Sequence, residues 1–237
     1  MKDSTRSQLN SLIKFYKSSI EDIERQIKAH PERARGGIIR ALKGTLVEKM
    51  AEKLIEIAWL ELGQDIKRLN FPQKRIQVPI KADYIEKIKI PEIKKWIKEH
   101  IRDFSYPTKT DICVKIDDHF VCGVECKAYT ENAMMKRILI DFTLLQQAFP
   151  ELSCVLFQLE SWLGGDYHEP SKAIIYGSKS THTLLSYFDV DLQIITILEG
   201  ARNIHGAIHE LEFYKEVKFE LLEKAMVVFQ NILRKWA

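Results

Sequence analysis

The chain has 237 residues, 46% hydrophobic and 29% charged, which is enough apolar material for a packed core beneath a charged surface. Its net charge of +3 is only mildly basic, so a nucleic-acid surface would have to come from local patches. No apolar run approaches the roughly 20 residues of a membrane span, and the first residues lack the apolar segment of a secretory signal, so a cytoplasmic location is expected.

Residues 5–29 place Leu9, Leu12, Ile13, Tyr16, Ile20, Ile23 and Ile27 at helical spacing, and His30-Pro31 ends the pattern. A second helix is expected over 38–62, with Ile39, Leu42, Leu46, Met50, Leu54 and Ile57 on one side and Gly63 as its stop. Residues 64–80, with Lys67, Arg68, Lys74 and Arg75 around Phe71-Pro72, read as an exposed basic loop. A third helix is expected over 83–101, with Pro91 as a break.

The character then changes. Residues 111–116 and 120–128 read as two strands joined by a turn at Asp117-Asp118-His119. Residues 131–148 read as a helix capped by Thr130, with Met134, Ile138, Phe142 and Leu145 inside. Val155-Leu156-Phe157-Gln158-Leu159 is a buried strand, Ala173-Ile174-Ile175-Tyr176 another, 179–187 a short helix and Leu192 to Leu198 the last strand. A long helix is expected over 207–236, although its first part also alternates like a strand. Strand–strand–helix–strand order with flanking helices predicts an α/β fold, one mixed central sheet with helices on both faces and a helical N-terminal portion. Cys113, Cys122, Cys126 and Cys154 lie in apolar runs without zinc spacing and read as buried, reduced thiols.

Asp111, Glu125 and Lys127 carry the chemistry. Residues two apart on a strand share a face, so Glu125 and Lys127 project together while Cys126 points away, and pairing across the hairpin brings Asp111 beside them. Glu125 follows the apolar stretch Val121 to Val124, where a charge is costly unless paired or coordinated. Mg²⁺ prefers oxygen ligands and is commonly held by one or two carboxylates plus phosphate oxygens. Asp111, Glu125 and the backbone carbonyl of Cys126 suit that role, with Mn²⁺ able to substitute. Lys127 would orient the attacking water or neutralise charge developing on the phosphate. No phosphate-binding glycine loop, dinucleotide fingerprint or His-Glu-x-x-His motif competes with this reading.

Asp111, an apolar strand, a turn and Val124-Glu125-Cys126-Lys127 together resemble the signature of the PD-(D/E)xK nucleases, whose best-known members are type II restriction endonucleases. The resemblance is carried by residues 110–160, and Thr110 stands where the family has proline. It implies a single nuclease domain over 1–237: a mainly helical portion at 1–102, a catalytic α/β core at 103–200 and a C-terminal helix within 201–237. It also implies a further glutamate on a preceding helix, for which Glu48 is the candidate, at the edge of that helix's apolar stripe.

The expected function is Mg²⁺-dependent cleavage of double-stranded DNA at a specific sequence. Two cuts require two active sites, hence a homodimer, with Trp59, Trp96 and Trp236 as candidate contacts; a DNA methyltransferase is the expected genetic neighbour. DNA contacts are expected from Ser178, Lys179 and His182, from Arg202, Asn203 and His205 between Gly200 and Gly206, and from Lys136, Arg137 and Arg35. Two alternatives stand beside this reading: a repair, recombination or phage nuclease that reads DNA structure, and a non-catalytic DNA-binding protein.

Overall fold

Apolar and β-branched residues in the middle of the chain build a five-stranded sheet, and helices from before, within and after it cover its two faces. The structure is a computed structural model that describes residues 1–29, 37–72, 75–163, 178–200, 202–203, 206, 208 and 210–237. Arg33, Arg35, Lys74, the strand expected at 173–176 and His205 lie outside the described residues.

In chain order the elements are α1 (Asp3–Ala29), α2 (Gly37–Glu61), β1 (Leu69–Asn70), β2 (Ile76–Pro79), α3 (Ala82–Lys87), α4 (Pro91–Glu99), β3 (Ser105–Thr108), β4 (Ile112–Ile116), β5 (His119–Thr130), α5 (Asn132–Ala148), β6 (Ser153–Ser161), α6 (Lys179–Leu185), β7 (Leu192–Thr196) and α7 (Phe219–Leu233). The main sheet runs β1-β4-β5-β6-β7. Its first two pairings are antiparallel and its last two parallel, while β2 and β3 form a separate antiparallel ribbon. This is the mixed α/β architecture of the restriction-endonuclease-like fold.

One face of the sheet is covered by α1, α2 and α7. Leu9, Leu12 and Tyr16 of α1 and Leu222, Met226 and Phe229 of α7 pack in one cluster with Val124, Cys126, Val155 and Phe157. Helix α2 is buried on more than the single stripe expected of it, because Val47, Ala51, Ile55, Ala58 and Trp59 join Leu46, Met50, Leu54 and Ile57 in the core. It contacts α1, α7 and β5 together. On the other face, Met135, Ile138, Leu139, Phe142 and Leu145 of α5 pack with Cys154 and Leu156, and Ile76, Val78, Leu184 and Leu185 border this cluster.

The β4–β5 hairpin closes through a two-residue turn, since Ile116 pairs with His119 and both Asp117 (φ 47°) and Asp118 (φ 67°) are left-handed. That is a type I′ geometry, whose twist matches that of the strands, and aspartate tolerates the conformation better than most residues. Arg68 fixes the turn: its Nη2 lies 2.6 Å from Asp117 Oδ2, and its carbonyl accepts the Asp117 N–H. Further along, Val114 pairs with Cys122 but Lys115 pairs with Phe120, so Val121 is an extra residue, a β-bulge. Val121 and Cys122 both join the α2 side, whereas Phe120 packs on the α5 side. The bulge thus resets the alternation, and every later side chain of β5 lies on the face opposite to the one an unbroken count from Phe120 would give.

Several expected elements differ. The helix expected over 83–101 is two helices, because Pro91 begins α4, where its missing N–H costs nothing. The basic loop at 64–80 contains β1 and β2, whose pairing partners lie more than 25 residues away and leave no local signal. Thr130 is the buried last residue of β5, and Glu131 takes the cap position without a side-chain bond. The C-terminal helix starts at Phe219 rather than 207. Trp59 is fully buried, its Nε1–H donating to the Asp65 carbonyl at 2.9 Å, so it is a core residue and no dimer contact.

Gly123 marks the tightest point of the hairpin. A Cβ there would lie 3.0 Å from Thr110 Cγ2 and 3.1 Å from Phe142 Cε1. Gly123→Val should therefore cost about 1–3 kcal/mol through overpacking. The check is a lowered urea midpoint at unchanged slope, and a wild-type midpoint would refute the close approach.

Candidate active site

Strand β4 begins at Ile112, opposite Val124, while β5 runs on to Thr130. Over residues 125–130, β5 has β6 on one side and, among the described residues, no antiparallel neighbour on the other. Asp111 sits in the bend just before β4, braced by Thr110, whose hydroxyl donates to the Ile112 carbonyl at 2.8 Å. From there the Asp111 carboxylate does what a strand neighbour would have done, and its Oδ2 accepts the Cys126 N–H at 2.8 Å.

The same oxygen accepts from Lys127 Nζ at 2.7 Å, and Lys127 Nζ also donates to Glu125 Oε2 at 2.7 Å. One ammonium thus bridges two carboxylates. All three side chains are largely sheltered, with Glu125 only 13% exposed. Burial first, then the like charges of Asp111 and Asp141, push the Glu125 carboxyl well above the usual carboxylate range against the pull of Lys127. Burial also works against the Lys127 charge, but Glu125 and Asp111 outweigh it and raise its pKa to about 12.

These groups line an open cleft of about 370 Å³ with Thr108 and Lys109 from the segment before β4, and Met134, Arg137 and Asp141 from α5. Glu48, on α2, is half-buried and stays out of the Lys127 hydrogen-bond set. Burial raises its pKa first, and Asp111 adds to the effect while Lys127 opposes it, so its charge is felt at the site. Among the described residues no three His, Cys, Asp or Glu side chains gather closely enough to enclose an ion. The donor set is two carboxylates on an open edge, and that suits a hard cation which keeps waters and takes further oxygens from a substrate phosphate.

The expected DNA contacts are scattered. Lys136 and Arg137 are exposed on α5, and Arg137 borders the cleft 4.0 Å from Asp141. The Ser178 hydroxyl is engaged as the cap of α6, accepting the Thr181 N–H at 3.1 Å. Lys179 and His182 are exposed on that helix. Arg202 lies over the Tyr129 ring at 3.5 Å, with Asn203 half-buried beside it. Arg35 and His205 are outside the described residues. Two features had no sequence signal: the Asp111–Cys126 amide bond, a product of where β4 stops, and the seat of Arg202 on β5. The role of Asp141 in the field at Glu125 had a weak one, its spacing of four from Arg137 on the cleft side of α5.

No protein-family model matches the chain. The type II restriction enzyme DdeI of Desulfomicrobium norvegicum is 44% identical to it over 238 aligned residues, spanning 98% of this chain and 99% of that protein. With that identity over nearly its whole length, and with a mixed sheet that brings Asp111, Glu125 and Lys127 into contact, the chain belongs to the type II restriction endonucleases, within the PD-(D/E)xK superfamily that its sequence resembles.

Proposed function

We propose that this protein cuts double-stranded DNA at a specific sequence by hydrolysis at the Asp111–Glu125–Lys127 edge, as a single nuclease domain, in the cytoplasm. The observation that carries the reading is the Lys127 ammonium held 2.7 Å from both Asp111 Oδ2 and Glu125 Oε2 on an open strand edge. Type II restriction enzymes typically need a divalent metal ion, and Mg²⁺, with Mn²⁺ as substitute, suits this all-oxygen donor set. When bound, the ion would supply Lewis-acid polarisation of the phosphate and a more acidic water.

The chain's own residues supply the rest. Asp111 and Glu125 would hold the cation, joined by the Cys126 carbonyl. The Cys126 N–H fixes one oxygen of Asp111, so that carboxylate is oriented before substrate arrives. Lys127, whose ammonium lies 2.7 Å from both carboxylates, would direct its charge at the phosphate and stabilise the negative charge that builds there. Glu48 adds a half-buried negative charge to the same field. The structure-selective nuclease and the non-catalytic binding protein find no separate support.

Two cuts in a duplex need two such sites, so a homodimer follows, with a cognate DNA methyltransferase as genetic neighbour. Its contact surface is assigned to the exposed apolar face of α3 and α4, where Tyr84, Ile90, Ile93, Trp96 and Ile101 stand between 43% and 59% exposed. The β2–β3 ribbon connects that face to Asp111 through the segment that enters β4.

Incubation with a mixed-sequence plasmid and Mg²⁺ should give discrete fragments, abolished by a chelator and restored by Mg²⁺ or Mn²⁺; a smear or intact DNA would contradict site-specific cutting. Lys127→Ala should lower the cleavage rate at least about 100-fold while DNA binding, read by gel shift, largely persists. Unchanged cutting would remove Lys127 from the machinery. Trp96→Asp should convert a dimer to a monomer in analytical ultracentrifugation, whereas an unaltered dimer would place the interface elsewhere.

A further inference from the structure

A second cleft, of about 600 Å³, lies beside the first and shares Lys127 and Met134 with it. Lys43 and Gly44 of α2, Tyr129 of β5, Glu160 of β6 and Arg202 also line it. Two of these, Lys43 and Arg202, are cations that face an open space and repel one another.

Arg202 is held by its face rather than by its edge. Its guanidinium lies 3.5 Å from the centre of the Tyr129 ring and 5.2 Å from that of Trp162, and its backbone N–H donates to the Ser161 carbonyl at 2.8 Å. Its guanidinium makes no hydrogen bond or ion pair with any other described residue, so the donors along its edge are unspent. A planar fork fixed in this way suits the oxygens of an anion. Lys43 is half-buried, and burial first, then the charge of Arg202, lower its pKa to about 8 against the pull of Glu160 and Glu210. Glu160 does not cancel these cations alone, because Lys215 holds it at 2.8 Å. Gly44 leaves room at the wall, with nothing within 4 Å of where its Cβ would be.

We propose that Lys43 and Arg202 grip a second phosphate of the cut strand, the neighbour of the scissile one. This inference rests on the nuclease reading and says where the strand continues. Tyr129, which seats Arg202, is two residues beyond Lys127 on β5, a rise of roughly 6.4–6.8 Å, comparable to one nucleotide of backbone. A base edge is neutral and would leave the two cations repelling each other, whereas a phosphate offsets both. Fixing this phosphate holds the strand in register, so that the next one lies over Asp111 and Glu125.

The test uses a short synthetic duplex carrying the cut site mapped from plasmid fragments. A neutral methylphosphonate replaces one phosphate at a time around the cut, and affinity is measured with Ca²⁺ in place of Mg²⁺. For the wild type, neutralising one phosphate adjacent to the scissile position should weaken binding about tenfold. Lys43→Met and Arg202→Gln should each weaken binding of the unmodified duplex and show no further loss at that position, while keeping the wild-type penalty elsewhere. Lys43→Arg and Arg202→Lys, which keep the charges, should retain the penalty and guard against loss of fold. If the uncharged variants keep the wild-type penalty at every position, or mask different phosphates, the proposal fails. Cutting of the unmodified duplex with Mg²⁺ tests the nuclease reading separately. Cutting without a masked phosphate sinks the second seat alone, and a masked phosphate without cutting sinks the catalytic reading alone.

Discussion

Everything at this site depends on β5 outlasting β4. The inner strand reaches Thr130, whereas its antiparallel partner starts only at Ile112, opposite Val124. A strand edge left open inside a protein carries backbone groups that need partners. Asp111 supplies one from the bend that replaces the missing strand, by accepting the Cys126 N–H. The same absence leaves the space into which a phosphate can come. Continuing β4 by a few residues would satisfy the edge with backbone and close the cleft; stopping it early makes a side chain serve both the fold and the chemistry.

The bulge at Val121 decides which face that chemistry occupies. By placing Val121 and Cys122 together on the α2 side, it turns Glu125 and Lys127 toward α5 and gives the α2 side Val124 and Cys126. Without the extra residue the two charged side chains would turn toward the apolar cluster under α2, where burying an unpaired ion costs several kcal/mol. The turn at Asp117-Asp118, pinned by Arg68, and the close contact at Gly123 hold this register from either end. Register, more than composition, therefore positions the site.

How much the sequence disclosed follows from the same distinction. Chemistry that depends on neighbours two residues apart was readable: Glu125 and Lys127 share a face whatever face it is, and the strand–turn–strand–helix–strand order gave the α/β layering. Elements with strong local periodicity, α1, α5 and β6, came out close to their observed bounds. What stayed hidden depends on partners far along the chain. The short strands β1 to β3 have too few residues to show a period, and β1 exists because Leu69 and Asn70 meet Ile116 and Lys115. Helix α2 is apolar beyond the single stripe expected of it, since Val47, Ile55 and Trp59 are buried with the small Ala51 and Ala58, and only its packing against α1, α7 and β5 together shows this. A helix cap and a phosphate contact draw on the same residue types, so the sequence does not reveal that the Ser178 hydroxyl caps α6.

The electrostatic arrangement explains why two carboxylates can be kept so near each other in a sheltered place. Burial raises the cost of charging Glu125, and Asp111 adds to it, as the raised pKa of Glu125 records. Lys127 offsets that cost, since its ammonium donates to both and is itself stabilised by them against burial. One ammonium thus satisfies both carboxylates of the site. A residue with a shorter side chain or no charge could not bridge the pair, which is why this balance rests on Lys127 rather than on Lys109 and Arg137, the other cations lining the cleft.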